Sequence, residues 1–357
     1  MLIKKNVFYP QLDSLRAIAI ILVIISHWFA HDNILNRYTN NGVLGVTLFF
    51  VLSGFLITSI LLNNRIQIEQ GYSIKKAFYY FYIRRSLRIF PIYYLTLIIL
   101  VVLNIANIQK SFGWHFFYGS NFYFWLQEKF GGSLSHFWSL AVEEQFYLFW
   151  PAIIFFIPFK YLQQTFVMGI FTAMAFRYTF TTPGHDIGRI LMPGSLDSFC
   201  IGGLFAFGKL YITPWYRWYL KYNRFWSLSA VIILIIIHTQ IFRDLNFYWQ
   251  ICLSLFLLSI SFAIIIANVA NRIQVQPLKL ILDNKLLLYI GKISYGLYLF
   301  HNFIPFLYGI KLPKILIPFS YYIIQFVRFG LLFGISSFSW FLIEKPFLRF
   351  KRYFIFP

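Results

Sequence analysis

Long apolar stretches recur along this chain, and they constrain its fold more than any other feature. A helix needs roughly 18 or more consecutive apolar residues to cross the hydrocarbon core of a bilayer. The 357-residue sequence is 59% apolar and only 12% charged, against about 25% charged residues in a soluble globule. A transmembrane β-barrel would show segments of about ten residues that alternate apolar and polar; these runs do not alternate. The chain is therefore read as all-α, a polytopic integral membrane helical bundle of about ten transmembrane helices. They fall at about 13–30, 43–63, 89–108, 138–157, 164–180, 193–209, 226–241, 248–269, 287–308 and 319–342.

A net charge of +20 can signal nucleic acid, but here Lys and Arg sit in short connections between apolar runs, which is the pattern of membrane orientation. With the N-terminus placed in the cytoplasm, these spans leave 21 Lys and Arg on the cytoplasmic side and 8 outside; Arg16 and Arg328 lie within spans. That asymmetry favours an even number of spans in the plasma (inner) membrane with both termini cytoplasmic. The two cysteines, Cys200 and Cys252, lie in or beside apolar segments without metal spacing and read as buried thiols. No cleavable signal pattern interrupts the first apolar run, so it is expected to remain as the first span. Two connections are long: a basic, aromatic cytoplasmic segment at 64–88, and an aromatic-rich outer segment at 109–137. The latter either floats at the membrane interface or stacks on sugar rings.

The first span, "SLRAIAIILVIISHWF", carries Arg16 and His27 eleven residues apart. At about 100° per residue that is three turns plus roughly 20°, so both leave one helix face, about 16 Å apart along the axis. Polar groups inside a span usually face a cavity, a partner or a substrate path. Alone, Arg16 reads as a residue snorkelling to the headgroups and His27 as a hydrogen-bonding contact between helices. Together on one face they read as a wet stripe, with a histidine suited to general-base work.

A base needs a group that holds its tautomer, and a carboxylate does this best. The segment "HFWSLAVEEQFYLFWP" supplies Glu143 and Glu144 at the start of a span. The segment "YIRRSLRIFPIYY" puts Arg84, Arg85 and Arg88 at the mouth of the third span, with Arg85 and Arg88 on one face. These arginines read either as phosphate grips or as topology and lipid contacts. The run "LFFVLSGFLIT" carries Ser53-Gly54 mid-span, for close helix approach or for a helix break. "ISYGLYLFHNF" places Ser294 and His301 on one face, with Tyr295 and Tyr298 between them.

In this order and spacing, these segments resemble the membrane acyltransferase-3 family, from about residue 9 to 347. The Arg-x10-His at Arg16 and His27, "FFVLSGFLIT", Arg85-x-x-Arg88, "HFWSLAVEEQFYLFWP" and "SYGLYLFH" carry the likeness. The resemblance implies a single acyltransferase-3 membrane domain over 1–357, of the standalone type without a fused hydrolase-like domain. It implies O-acylation of a cell-surface or secreted carbohydrate with acyl-CoA, acetyl-CoA first, as donor. On this reading Arg84, Arg85 and Arg88, with Ser53 and Tyr295, bind the donor. His27 is the general base, supported by Glu143, and Arg16 or donors near Ser53 stabilise the oxyanion. His136, Trp138 and His301 are assigned to the acceptor. The expected partners are the carbohydrate, acyl-CoA and membrane lipid, with no nucleic acid and no metal; the oligomeric state is left open. The rival reading is a transporter or flippase for a lipid-linked glycan or an ion, using Arg16, His27 and Glu143 as an intramembrane relay.

Overall fold

A computed structural model describes residues 9–29, 33–37, 40–128, 132–181, 186–238, 247–273, 276–307 and 321–356. Among these the chain is helical and contains no strand. The principal helices are α1 (Gln11–Trp28), α2 (Asn41–Glu69), α3 (Ile74–Val102), α4 (Phe137–Phe156), α5 (Phe159–Phe180), α6 (Leu196–Tyr211), α7 (Asn223–His238), α8 (Phe247–Ala270), α9 (Lys285–Lys292), α10 (Ser294–Phe300) and α11 (Tyr321–Ser339). A helix falls at each of the ten expected segments. Only five helical stretches among the described residues are long and apolar enough to cross a membrane by themselves: α1, α2, α3, α8 and Ile323–Tyr353. A sixth is gained if Met192–Tyr211 and Pro214–Lys221, bent by 92°, count as one span. The count of ten is not reproduced, but the chain is a multi-pass membrane protein. The outer ends of the expected spans at 13–30, 226–241, 287–308 and 319–342, and the charges Lys4, Lys5, Lys129, Arg243, Lys311 and Lys314, lie outside the described residues.

The segment 64–88 is not the long connection expected from its basic character. Helix α2 runs on to Glu69 and α3 begins at Ile74. The turn between them is made by Gly71, whose φ of +98° suits a residue without Cβ. The Gly71 and Tyr72 amides bond back to Ile68 and Gln67, and Ser73 caps α3 by accepting from the Lys76 amide at 3.4 Å. The arginines are thereby carried well inside α3 instead of at the mouth of a span. The expected 287–308 span differs in the opposite direction. It breaks at Ile293 into α9 and α10, so α10 ends inside the bundle and presents its last carbonyl groups there.

Ser53-Gly54 does not break α2. A Cβ on Gly54 would collide with the Phe199 carbonyl of α6, so glycine sets the closeness of the α2–α6 contact. Arg177, counted on the outer side from the sequence, is fully buried instead. It donates to Asp197 at 2.7 Å and to the Gly194 carbonyl at 2.6 Å, joining α5 to α6. Cys200 and Cys252 are free and buried. The aromatic-rich segment expected on the outer side folds as short helices, Ile105–Ser111, Phe112–Phe116 and Ser120–Gln127. It is pinned by His115, which is fully buried, meets Ser120 Oγ through Nδ1 at 2.7 Å and packs its ring on Phe137. Burial pushes the His115 imidazole down to about 4. Trp114, Phe117 and Trp125 remain exposed on this segment.

Candidate active site

Helical periodicity brings the first polar groups together. Asp13 and Arg16 are three apart on α1 and form an ion pair. Glu143 and Tyr147 are four apart on α4, and Glu143 accepts hydrogen bonds from the hydroxyls of Tyr147 and Ser53. Packing then joins five helices around a cavity whose water-accessible core is about 90 Å³. Arg16 of α1, Ser53 of α2, Arg85 and Arg88 of α3, Ser139, Glu143, Glu144 and Tyr147 of α4, and Tyr295 and Tyr298 of α10 line it. Three guanidiniums and two carboxyls thus share one cavity.

The two α3 arginines are held unlike ordinary surface arginines. Arg85 stacks its guanidinium over the Tyr147 ring at 5.1 Å and lies 5.9 Å from the Phe81 ring. Stacking uses the face of the planar group and leaves its in-plane N–H donors available. Neither Arg85 nor Arg88 is hydrogen-bonded or ion-paired among the described residues. Lys351, near the C-terminus, lies close enough to both for like charges to repel, and Glu344 interacts with Arg88. Glu344 closes a π-helical turn, Trp340–Glu344, which directs this buried acid toward the site. Arg84 stands apart. It is exposed, does not line the cavity, and donates to the Phe354 carbonyl at 3.3 Å. Seen down the helix, Arg84 and Arg85 bracket Arg88 over an arc of about 100°, and only the Arg85–Arg88 side of that arc faces the cavity.

His27 lies beyond the cavity lining, at the exposed end of α1. Its partner is not Glu143. His27 Nδ1 is 2.7 Å from His301 Nε2, and the two rings stack with centroids 4.9 Å apart and planes at 12°. Glu143 lies seven residues into α4 from His136, about 10 Å along the axis, and is occupied by Ser53 and Tyr147. His136, Trp138 and His301, the residues expected at the acceptor, are buried. The Trp138 ring meets the Phe50 ring edge-on. His136 donates from Nε2 to the Leu299 carbonyl at 3.1 Å and accepts from the Asn302 amide at Nδ1. His136 and His301 rings lie 4.9 Å apart, edge to face. Among the described residues no group of His, Cys, Asp and Glu converges on a metal position.

The cavity and the histidine cluster meet at Tyr298. Its hydroxyl bonds Ser139 at the cavity wall, and its carbonyl receives His301 Nδ1 at 2.6 Å. Tyr147, Asp13 and Glu344 went unread in the sequence. The first two carried a signal, their i+4 and i−3 spacing from Glu143 and Arg16; Glu344 had only the "LIEKPF" helix end.

Fold and site define a membrane-embedded helical bundle with a cationic internal cavity adjoining a histidine cluster. A family model described as an acyltransferase domain matches residues 9–345, and the chain belongs to this acyltransferase-3 family. It is 33% identical over 209 residues to a peptidoglycan O-acetyltransferase of Listeria monocytogenes, covering 51% of this chain and 31% of that protein. A Staphylococcus aureus protein bearing the name O-acetyltransferase is 30% identical over 382 residues, covering 97% of this chain and 58% of that protein. The chain thus spans less than two thirds of these relatives. No solved structure matches it.

Proposed function

We propose that the chain is a membrane O-acyltransferase that moves an acyl group, acetyl first, from acyl-CoA to a hydroxyl of a cell-envelope carbohydrate. The observation that carries this reading is the pair Arg85 and Arg88, two guanidiniums that line the cavity and have no hydrogen-bond or ion-pair partner within contact distance among the described residues. A desolvated cation without a partner is costly, so such a site calls for an anionic ligand. Bidentate N–H donors suit the phosphates of a coenzyme A donor.

The donor enters from the cytoplasm, and its phosphates meet Arg85 and Arg88. Its arm extends past Arg16 toward Tyr298 and His27. The separation of about 16 Å between Arg16 and His27 suits a long carrier arm holding the reactive group away from its charged anchor. At His27 the acceptor hydroxyl gives its proton to Nε2 and its oxygen attacks the thioester carbonyl carbon. The C–S bond then breaks and the thiolate takes the proton back from His27. The oxyanion forms at His27, about 16 Å from Arg16 along α1, so Arg16 lines the path of the arm and Ser53, donating to Glu143, belongs to the donor site; neither reaches the oxyanion. Glu143 supports the donor site by holding Tyr147 beneath Arg85, and Tyr295 closes the cavity wall. On this reading 1–357 is one acyltransferase domain in the plasma membrane with cytoplasmic termini, and His27 faces the outer side, where carbohydrate is met. The names of the relatives support peptidoglycan as the first acceptor to try.

The test uses purified protein in nanodiscs with radiolabelled acetyl-CoA and peptidoglycan fragments. Wild type should bind and turn over, His27→Ala should bind without turnover, and Arg85→Ala/Arg88→Ala should fail to bind. Wild-type protein that binds no acyl-CoA would remove the donor and leave the relay of a transporter as the reading to pursue.

A further inference from the structure

We infer that His301 is the positioning residue of His27, in a histidine–histidine dyad anchored by the broken end of α10. This rests on the reading of His27 as the base. The argument starts from the helix terminus. The last carbonyl groups of a helix have no intrahelical partner and must be satisfied otherwise. At the end of α10 two imidazoles do so: His301 Nδ1 meets the Tyr298 carbonyl at 2.6 Å, and His136 Nε2 meets the Leu299 carbonyl at 3.1 Å. A carbonyl oxygen only accepts, so each of these ring nitrogens carries its proton and donates.

The remaining assignments follow. In neutral His301 the Nδ1 proton leaves Nε2 as a lone-pair acceptor. The group 2.7 Å from that lone pair is His27 Nδ1, which must therefore be the donor. His27 then has its proton on Nδ1 and an open lone pair on Nε2. That nitrogen has no hydrogen-bond partner among the described residues, and the residue is exposed at the bundle end. A backbone carbonyl thus does at one remove what a carboxylate does in a catalytic triad, by selecting the tautomer and orienting the ring. His301 itself is held firmly. It is fully buried, its carbonyl accepts from Trp28 Nε1 at 3.0 Å, and the stacked rings keep the two imidazoles parallel. Trp28 follows His27 directly on α1, so the same contact fixes the end of the helix that carries the base. No carboxylate is needed beside His27, in keeping with the engagement of Glu143 elsewhere.

The test is nitrogen-15 NMR of ring-labelled histidines in nanodiscs, together with turnover. The His27 signal is assigned by its loss in His27→Gln. Wild type should show His27 protonated on Nδ1. His301→Leu should move that proton to Nε2 and lower kcat about 10²-fold, the usual scale of a general base, with acetyl-CoA affinity kept. His301→Gln, which retains an acceptor oxygen and guards against simple misfolding, should restore the Nδ1 tautomer and most of the turnover. A wild-type His27 protonated on Nε2, or unchanged tautomer and kcat in His301→Leu, would overturn the dyad. If the tautomers behave as stated but His27→Ala still turns over, the dyad stands and the base assignment fails.

Discussion

If Arg85 and Arg88 grip phosphates, replacing either should cost affinity only for donors that have phosphates. A charge-assisted hydrogen bond contributes about 1.5–3 kcal/mol, and about 1.4 kcal/mol is tenfold in Kd. Arg85→Ala or Arg88→Ala should therefore weaken acetyl-CoA binding about 10- to 100-fold. The same variants should bind S-acetylpantetheine, which lacks the phosphates, within about twofold of wild type, since changes at independent sites are additive within about 0.5 kcal/mol. The Arg85 geometry sharpens the expectation. Its face is spent on Tyr147 and Phe81, so Arg85→Lys keeps the charge but loses both the stack and the planar fork. It should fall nearer to Arg85→Ala than to wild type. The assay is equilibrium binding of the two donors to each variant in nanodiscs, arranged as a double-mutant cycle. Equal weakening of both donors would refute the reasoning, because it would mean that the arginines shape the cavity instead of holding phosphate.

Other expectations follow from single contacts. Glu143→Gln, which removes the charge that Ser53 and Tyr147 address, should raise the KM for acetyl-CoA about tenfold, by one charge-assisted bond, and leave kcat nearly unchanged; a fall in kcat alone would instead place Glu143 at the chemistry. Arg177→Met leaves Asp197 buried without its partner and should cost about 3–5 kcal/mol, read as a lower melting temperature in detergent, with Arg177→Met/Asp197→Leu recovering part of it. His115 stays neutral in the folded aromatic-rich segment down to about pH 4, whereas the unfolded chain binds that proton below about pH 6.5. Its contribution to stability is thus complete above pH 6.5 and lost as the pH falls from there to about 4; proteolysis of the segment 109–128 should rise across that window, and less so in His115→Gln.

The two kinds of information separate cleanly at Arg16 and His27. Their shared face was legible because eleven residues nearly close three helical turns, and the backbone hydrogen-bond pattern that sets the turn is local. The same logic put Arg85 and Arg88 on one face. Apolar length alone placed helices at every expected segment. Local rules also went astray where a local cue was ambiguous. The basic stretch 64–88 read as a loop although its only sharp breaker is the turn at Gly71. Arg177 read as an outer charge because its partner, Asp197, comes from another helix.

Sequence by itself determined the class of protein, since the energetic demand of lipid on backbone polar groups leaves a chain with such long apolar stretches little choice but helices. It also determined which side chains on one helix share a face. Tertiary structure alone decided who meets whom: His27 pairs with His301, 274 residues later, and Glu143 turns to Ser53 and Tyr147. The physical reason is that a helix sets only the direction in which a side chain leaves its own axis. The group found there depends on how closely neighbouring helices approach, at contacts such as Gly54 against Phe199, and on where a helix such as α10 stops and leaves its carbonyls to be satisfied.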